Sequence, residues 1–461
     1  MKPYEKYTNT NISWIKTIPT HWNLERIGSL FTERKEKVSD KEYSPLSVTK
    51  NGVLPQLTTA AKSDDGDNRK KVVVGDFVVN SRSDRKGSSG ISPLTGSVSL
   101  INIVLEPRMA NNTRYIHYLL RNHLFIEEYY RNGRGIVADL WTTRYSEMKT
   151  IMLPVPPRSE QDQIVRFLDW KLSKINKLIR AKKKQIALLN EQKQAIIDKA
   201  VTNGLDDTAP MKDSGIPWIG RIPSSWHIVS LKRCTTIQTG ITLGKQYLPG
   251  TQLVERPYLR VANVQNGYID ISNVTTIKVT YDEDRRYRLK SGQVLMTEGG
   301  DRDKLGRGCV WKGQLPLCLH QNHIFALSVN EALLNNYFLE YLTISNVGRE
   351  YFDVTATKTT NLACTNSSKV MAFLIPLPSI AVQKDIVSYL KNATARINSL
   401  ITKLGASIDC FLEYKANLIS SVVTGQVDVR EIVVPDFELE NEPLDEVSDE
   451  DREETEETEG E

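Results

Sequence analysis

Two short stretches of the chain combine arginine, lysine and glycine in a way that suits a phosphate backbone and the base edges beside it. SRSDRKGSSG (81–90) sets Arg82, Arg85 and Lys86 among serines and glycines directly after the strand-like run VVVGDFVVN (72–80), and DNRKK (67–71) places Lys70 and Lys71 ahead of that strand. TEGGDRDKLGRGCVW (297–311) follows a second strand-like run, LKSGQVLMT (289–297), and interleaves Arg302, Lys304 and Arg307 with Gly299, Gly300, Gly306 and Gly308. A guanidinium can donate two bonds to a guanine edge, an ammonium neutralises phosphate, and glycine permits close backbone approach. The run HQNH adds His320, Gln321, Asn322 and His323, whose amide and imidazole groups can read base edges. A single basic loop is more often a solvated surface. Two at matched positions favour a DNA groove.

The elements that must position these loops form a duplicated frame. Residues 154–202 recur 222 positions later as 376–424. The first copy carries apolar residues at Ile175, Ile179, Ile186, Leu189, Ile196 and Ala200; the second at Ile397, Ile401, Leu404, Ile408, Phe411, Leu418 and Val422. Steps of four and three residues make a heptad seam, which buries its knobs only against another helix. Each copy opens on prolines, LPVPPRSEQDQIVRFL (153–168) and IPLPSIAVQKDIVSYL (375–390). Upstream, WIKTIPTHWNLERI (14–27) matches WIGRIPSSWHIVSL (218–231), so Trp14, Ile18, Pro19 and Trp22 return as Trp218, Ile222, Pro223 and Trp226. Between these anchors the halves diverge. The expected class is α+β with a pseudo-twofold internal repeat: a first recognition globule (1–157), a first long helix (158–203), a second globule (204–378), a second helix (379–424) and a tail (425–461). Antiparallel packing of the helices as an intramolecular coiled coil is the simplest topology, because parallel packing would make the second globule bridge about 60 Å. Lys193 and its repeat Lys415 fall on the seam, either fixing register or snorkelling from a partly exposed position.

The net charge of +4 hides an asymmetry. Residues 436–461 hold 15 acidic residues against one arginine, leaving residues 1–435 at about +18. The body suits a polyanion, and the acidic tail, with few apolar anchors, is expected to be disordered. No stretch approaches the ~20 apolar residues of a membrane span, and the N-terminus lacks a secretory pattern, so a cytoplasmic protein is expected. The five cysteines are odd in number and confined to the second half, a poor basis for a disulfide framework. Catalytic signatures are missing. GITLGKQ (240–246) has the wrong spacing for a phosphate loop, Cys318 with His320 and His323 lacks a paired CxxC, PDFELE (435–440) lacks the following lysine of a metal-dependent nuclease, and no Asn-Pro-Pro or Asp-Pro-Pro tetrapeptide of an amino-methyltransferase occurs.

The duplicated Trp-x-x-x-Ile-Pro-x-x-Trp openings, the LPVPP and IPLP runs followed by Gln161 and Gln383, the paired helices and the variable segments between them resemble a type I restriction-modification specificity subunit over residues 14 to about 430. YLRVANVQNGYID (258–270) and GRGCVWKGQLPLCLHQNHIFAL (306–327) resemble its target-recognition domains. The resemblance implies a non-catalytic chain whose two recognition domains each read half of a split, asymmetric double-stranded DNA target. It also implies docking of two methyltransferase subunits and up to two motor-nuclease subunits, with S-adenosylmethionine, ATP and magnesium on those partners and no cofactor or metal here. The acidic extension is not part of the family pattern. A type IIB-like or methylation-only system would use the same architecture, and a coiled-coil protein adaptor is the reading outside DNA.

Overall fold

The computed structural model describes residues 2–56, 66–108, 111–135, 141–300, 305–358 and 363–438. Arg302 and Lys304 and the tail beyond Glu438 lie outside the described residues. The chain divides into two compact units, Met1–Lys182 with Gly405 onward, and Lys183–Leu404. The sequence reading separates globules from helices. The structure instead gives each unit one globule together with half of each long helix, because a helix of about 45 residues buries its two ends against different partners.

Both globules are mixed α/β and are closed by the same clasp. In the first unit Asn23–Arg26, just after Trp22, pairs antiparallel with Met152–Val155. In the second, His227–Ser230, just after Trp226, pairs antiparallel with Leu374–Leu377. The two sequence repeats upstream and downstream of each variable segment are therefore strand partners, and the divergent residues are an insertion between them. Each clasp is preceded by a hairpin, Tyr7–Ile12 with Ile15–Pro19 and Met211–Asp213 with Arg221–Pro223.

Within each insertion lies a four-stranded sheet of matching order. The first runs Ser89–Ile91, Phe77–Asn80, Asn102–Pro107, Phe31–Glu33; the second runs Gly308–Val310, Val294–Thr297, Ile324–Val329, Thr235–Thr239. Phe77–Asn80 and Val294–Thr297 are the strand-like runs aligned from sequence. Alternation of Val, Phe, Leu and Met buries both faces of these strands: Phe77, Val78, Val294, Leu295 and Met296 are at most 1% exposed. The three-stranded sheets differ: the first unit's (Gly96–Val98, Arg69–Val72, Lys37–Val38) is antiparallel, while one of the second unit's two places Val254–Leu259 parallel to Leu319–His320.

The long helices span Arg158–Asn203 and Ile380–Val423. Gly204 and Gly425 follow them with φ of +78° and +75°, the left-handed conformation that terminates a helix without a Cβ penalty. The indole of Trp226 lies against Gly204 and that of Trp22 against Gly425. All thirteen seam residues are covered: Ile175, Ile179, Ala200, Ile397, Ile408, Leu418 and Val422 are buried, and Ile186, Leu189, Ile196, Ile401, Leu404 and Phe411 are half-buried. In the first unit Lys415 Nζ donates to Asn176 Oδ1 at 3.0 Å; in the second Lys193 Nζ donates to Asn398 Oδ1 at 3.1 Å. A shift of 222 turns one bond into the other. Each seam lysine thus ends on a fixed amide of the facing helix, and burial lowers the pKa of Lys193.

One boundary changes. Residues 425–438 pack on the first unit instead of belonging to the acidic tail: Val429 and Val434 are buried, and Gln163 Nε2 donates to the carbonyls of Val429 (2.9 Å) and Ile432 (2.8 Å). Apolar valines at 429 and 434 supply the anchors that the acidic residues beyond them lack. Among the described residues no helix is long and apolar enough to cross a membrane.

Candidate nucleic-acid interface

The two basic loops connect equivalent strands: residues 81–88 join Phe77–Asn80 to Ser89–Ile91, and 298–307 join Val294–Thr297 to Gly308–Val310. In the first loop Arg82 pairs with Asp84 at 2.9 Å with its side chain 42% exposed, and Lys86 Nζ bonds Glu127 at 2.6 Å. Arg85 is half-buried, and its carbonyl accepts the Tyr130 hydroxyl at 3.2 Å. Exposed pairs of this kind contribute about 0–1 kcal/mol, so a phosphate can displace the carboxylate at little cost. Lys71 is similar, bonded to Glu36 at 3.0 Å, and that bond raises its pKa.

Lys70 is different. Its ammonium donates to the Asn102 carbonyl at 2.7 Å, sits 3.4 Å from Glu33 and is 15% exposed. It forms the floor of an open cleft of about 610 Å³ lined also by Lys35, Arg144 and Lys149. Lys35, Arg144 and Lys149 carry no local signal in sequence, since the fold gathers them from segments over 100 residues apart.

In the second unit Arg307 donates from Nη1 to Gln265 Oε1 at 3.3 Å and lines an open cleft of about 500 Å³ with Asn266 and Arg349. Its neighbouring glycines serve packing. A Cβ on Gly306, whose φ is +69°, would sit 2.3 Å from the Phe352 ring, and one on Gly308 would sit 2.3 Å from Thr343 Oγ1. Residues 306–308 are thereby pressed onto the helices Asn336–Ile344 and Asn346–Thr355.

The HQNH run does not form one surface. His320, expected to read bases, is fully buried on the strand Leu319–His320. Its Nδ1 lies 3.0 Å from the Ile324 carbonyl and its Nε2 3.4 Å from Gln238 Nε2, which assigns the proton to Nδ1. Gln321 is half-buried and accepts the Val261 N–H at 3.3 Å; Asn322 is half-buried beside His323. Only the His323 ring is exposed, and it bonds Glu298. A strand with both faces covered turns its first polar residue inward, which overturns the assignment of His320.

Burial pushes the His320 pKa down to about 4, and burial followed by Arg121 and Arg114 pushes that of His117 down to about 3. Both are below the ordinary ~6.5, so their contribution to stability is complete above pH 6.5 and is lost as pH falls toward 4 and 3. Between pH 7.5 and 4.5, His320→Gln is expected to lose about 2 to 3 kcal/mol less stability than the parent chain, measured by urea unfolding of the second unit at each pH. Equal losses would contradict the neutral, buried assignment.

No family model matches the chain. The type I restriction enzyme MjaVIII specificity subunit of Methanocaldococcus jannaschii is 27% identical over 295 residues, covering 62% of this chain and 64% of that protein. The type I restriction enzyme EcoKI specificity subunit of Escherichia coli is 24% identical over 317 residues, covering 64% and 65%. The chain therefore aligns with less than two thirds of the length of each of these relatives. A solved chain from work on complex assembly and conformational transition of the type I restriction-modification system superposes with a TM-score of 0.63 at 15% identity, covering 89% of this chain and 99% of that one. The curated relatives are type I specificity subunits, and the shared fold agrees with them.

Proposed function

We propose that the chain is the sequence-specific DNA-binding specificity subunit of a type I restriction-modification system, acting in the cytoplasm. The observation that carries the reading is the matched pair of four-stranded sheets, each extending a basic loop from the same strand connection inside otherwise divergent insertions. Equal frames with unequal contents fit a bipartite, asymmetric target: each globule reads one half. The long helices, as an intramolecular antiparallel coiled coil, hold the unread spacer to one length. The repeated Lys–Asn bonds support that packing.

Duplication of the frame also favours two similar docking surfaces for two copies of a methyltransferase subunit, with up to two motor-nuclease subunits joining them. S-adenosylmethionine, ATP and magnesium belong to those partners in this reading, and the present chain contributes recognition.

Two outcomes test readout directly. Exchanging residues 23–153 for the corresponding segment of a related subunit should change one half of the target and preserve the other half and the spacer; a change in both halves would refute independent reading. Arg307→Ala should cost about 1 to 3 kcal/mol and relax preference at one base if its guanidinium holds a guanine edge. A uniform loss across sequences, with the salt slope smaller by about one, would reassign Arg307 to phosphate.

A further inference from the structure

The sequence of the first long helix contains seven cations and no carboxylate between Asp169 and Glu191. With 100° between successive residues, Gln163, Arg166, Trp170, Lys174 and Lys177 fall within roughly 80° of one another. They form one face, turned away from the seam at Ile175 and Ile179. The Lys171 and Lys174 ammonium groups lie 4.3 Å and 4.5 Å from the Trp170 ring centroid, which gathers positive charge at the middle of this face.

The chain after the second long helix is already laid on that face. Gln163 Nε2 donates to the carbonyls of Val429 and Ile432, Arg166 Nη2 donates to the Val434 carbonyl at 3.2 Å, and Arg166 stands 3.8 Å from the Asp436 carboxylate. As the segment advances from 429 to 436, its contacts advance from 163 to 166, so it runs along the helix toward Trp170 and Lys177. Of the 25 residues that follow Asp436, 14 are acidic.

From these contacts we infer that the acidic tail, residues 437–461, docks on the basic face of the first long helix between Arg166 and Lys177. Reach is ample: the face is about 16 Å long, which about five extended residues span, and 25 residues follow Asp436. The attraction is that of many exposed charges, so it is weakened by salt and exchangeable with another polyanion. The tail thereby shields a patch that would otherwise attract nucleic acid without regard to sequence.

The test uses the full chain without DNA, so its result is independent of the proposed target recognition. Carbodiimide cross-linking below about 0.05 M salt, followed by peptide mass spectrometry, should join tail carboxylates to Lys171, Lys174 or Lys177, and the links should disappear at about 1 M salt. In Lys174→Glu with Lys177→Glu, exposed changes that leave the seam intact, these links should be lost. A synthetic peptide of residues 439–461 should bind the chain ending at Glu438 about tenfold more tightly than it binds the same chain with both changes. Links confined to other lysines, or equal peptide binding to both chains, would overturn the inference. If both changes weaken nonspecific duplex binding by the shortened chain while no tail link forms, the face serves nucleic acid and the inference is likewise overturned.

Discussion

Replacing Gln161 or Gln383 by alanine is expected to destabilise the unit that contains it by about 3 kcal/mol, a large share of the ~5–15 kcal/mol that holds a domain together. Each glutamine is at most 1% exposed and makes three bonds, two of which are equivalent in the two units. Gln161 accepts the Asn112 N–H at 2.9 Å and donates to Asn111 Oδ1 and the Pro156 carbonyl, both at 3.0 Å. Gln383 accepts the Asn335 N–H at 2.8 Å and donates to the carbonyls of Leu333 and Pro378, both at 2.9 Å. Asn112 and Asn335 cap the short helices Thr113–Leu120 and Asn336–Ile344, so each amide ties a globule to the opening turn of a long helix. Truncation leaves a buried N–H and buried carbonyls unpaired in addition to a cavity. Urea unfolding of each single variant should show one early transition, from a different unit in each case. A loss below about 1 kcal/mol in both would mean that water replaces the amide and that the duplicated staple is dispensable.

The second large effect concerns the helices. Inserting four residues after Asn190 advances the following helix by about 6 Å and rotates it by about 40°. It also removes Lys193 from register with Asn398, breaking the bond whose repeat is Lys415 to Asn176. Affinity for the native target is expected to fall toward the nonspecific level, a loss of about 4 kcal/mol or more, and a target with a longer spacer is the one that should recover it. Competition binding with duplexes of stepped spacer length measures both. An unchanged spacer optimum would show that the helices do not set the distance.

How far the molecule was readable from its residues depended on whether the signal was local. A mixed α/β fold with duplicated parts was legible because proline, tryptophan and the heptad pattern are short-range marks. The alignment of 72–80 with 289–297 found equivalent strands because runs of β-branched and aromatic residues suit a doubly covered strand. That the Trp22 and Leu153 segments pair was not legible, since strand partners more than 120 residues apart leave no periodic trace. Burial of single polar residues was equally hidden: HQNH reads as a polar loop, yet His320 occupies a strand position and only His323 is exposed. The cleft of Lys35, Lys70, Arg144 and Lys149 required the fold itself. Charge count located a basic body but could not say that the Lys70 ammonium is committed to the Asn102 carbonyl.

The central claim is that one chain reads two half-sites held at a fixed distance. Methylome sequencing of a host carrying the associated methyltransferase, with and without this gene, tests it most directly. The account predicts gene-dependent methylation at a single motif made of two unlike specific halves separated by a constant unspecified gap. Methylation at a continuous or palindromic motif, or an unchanged methylome on deletion, would contradict it.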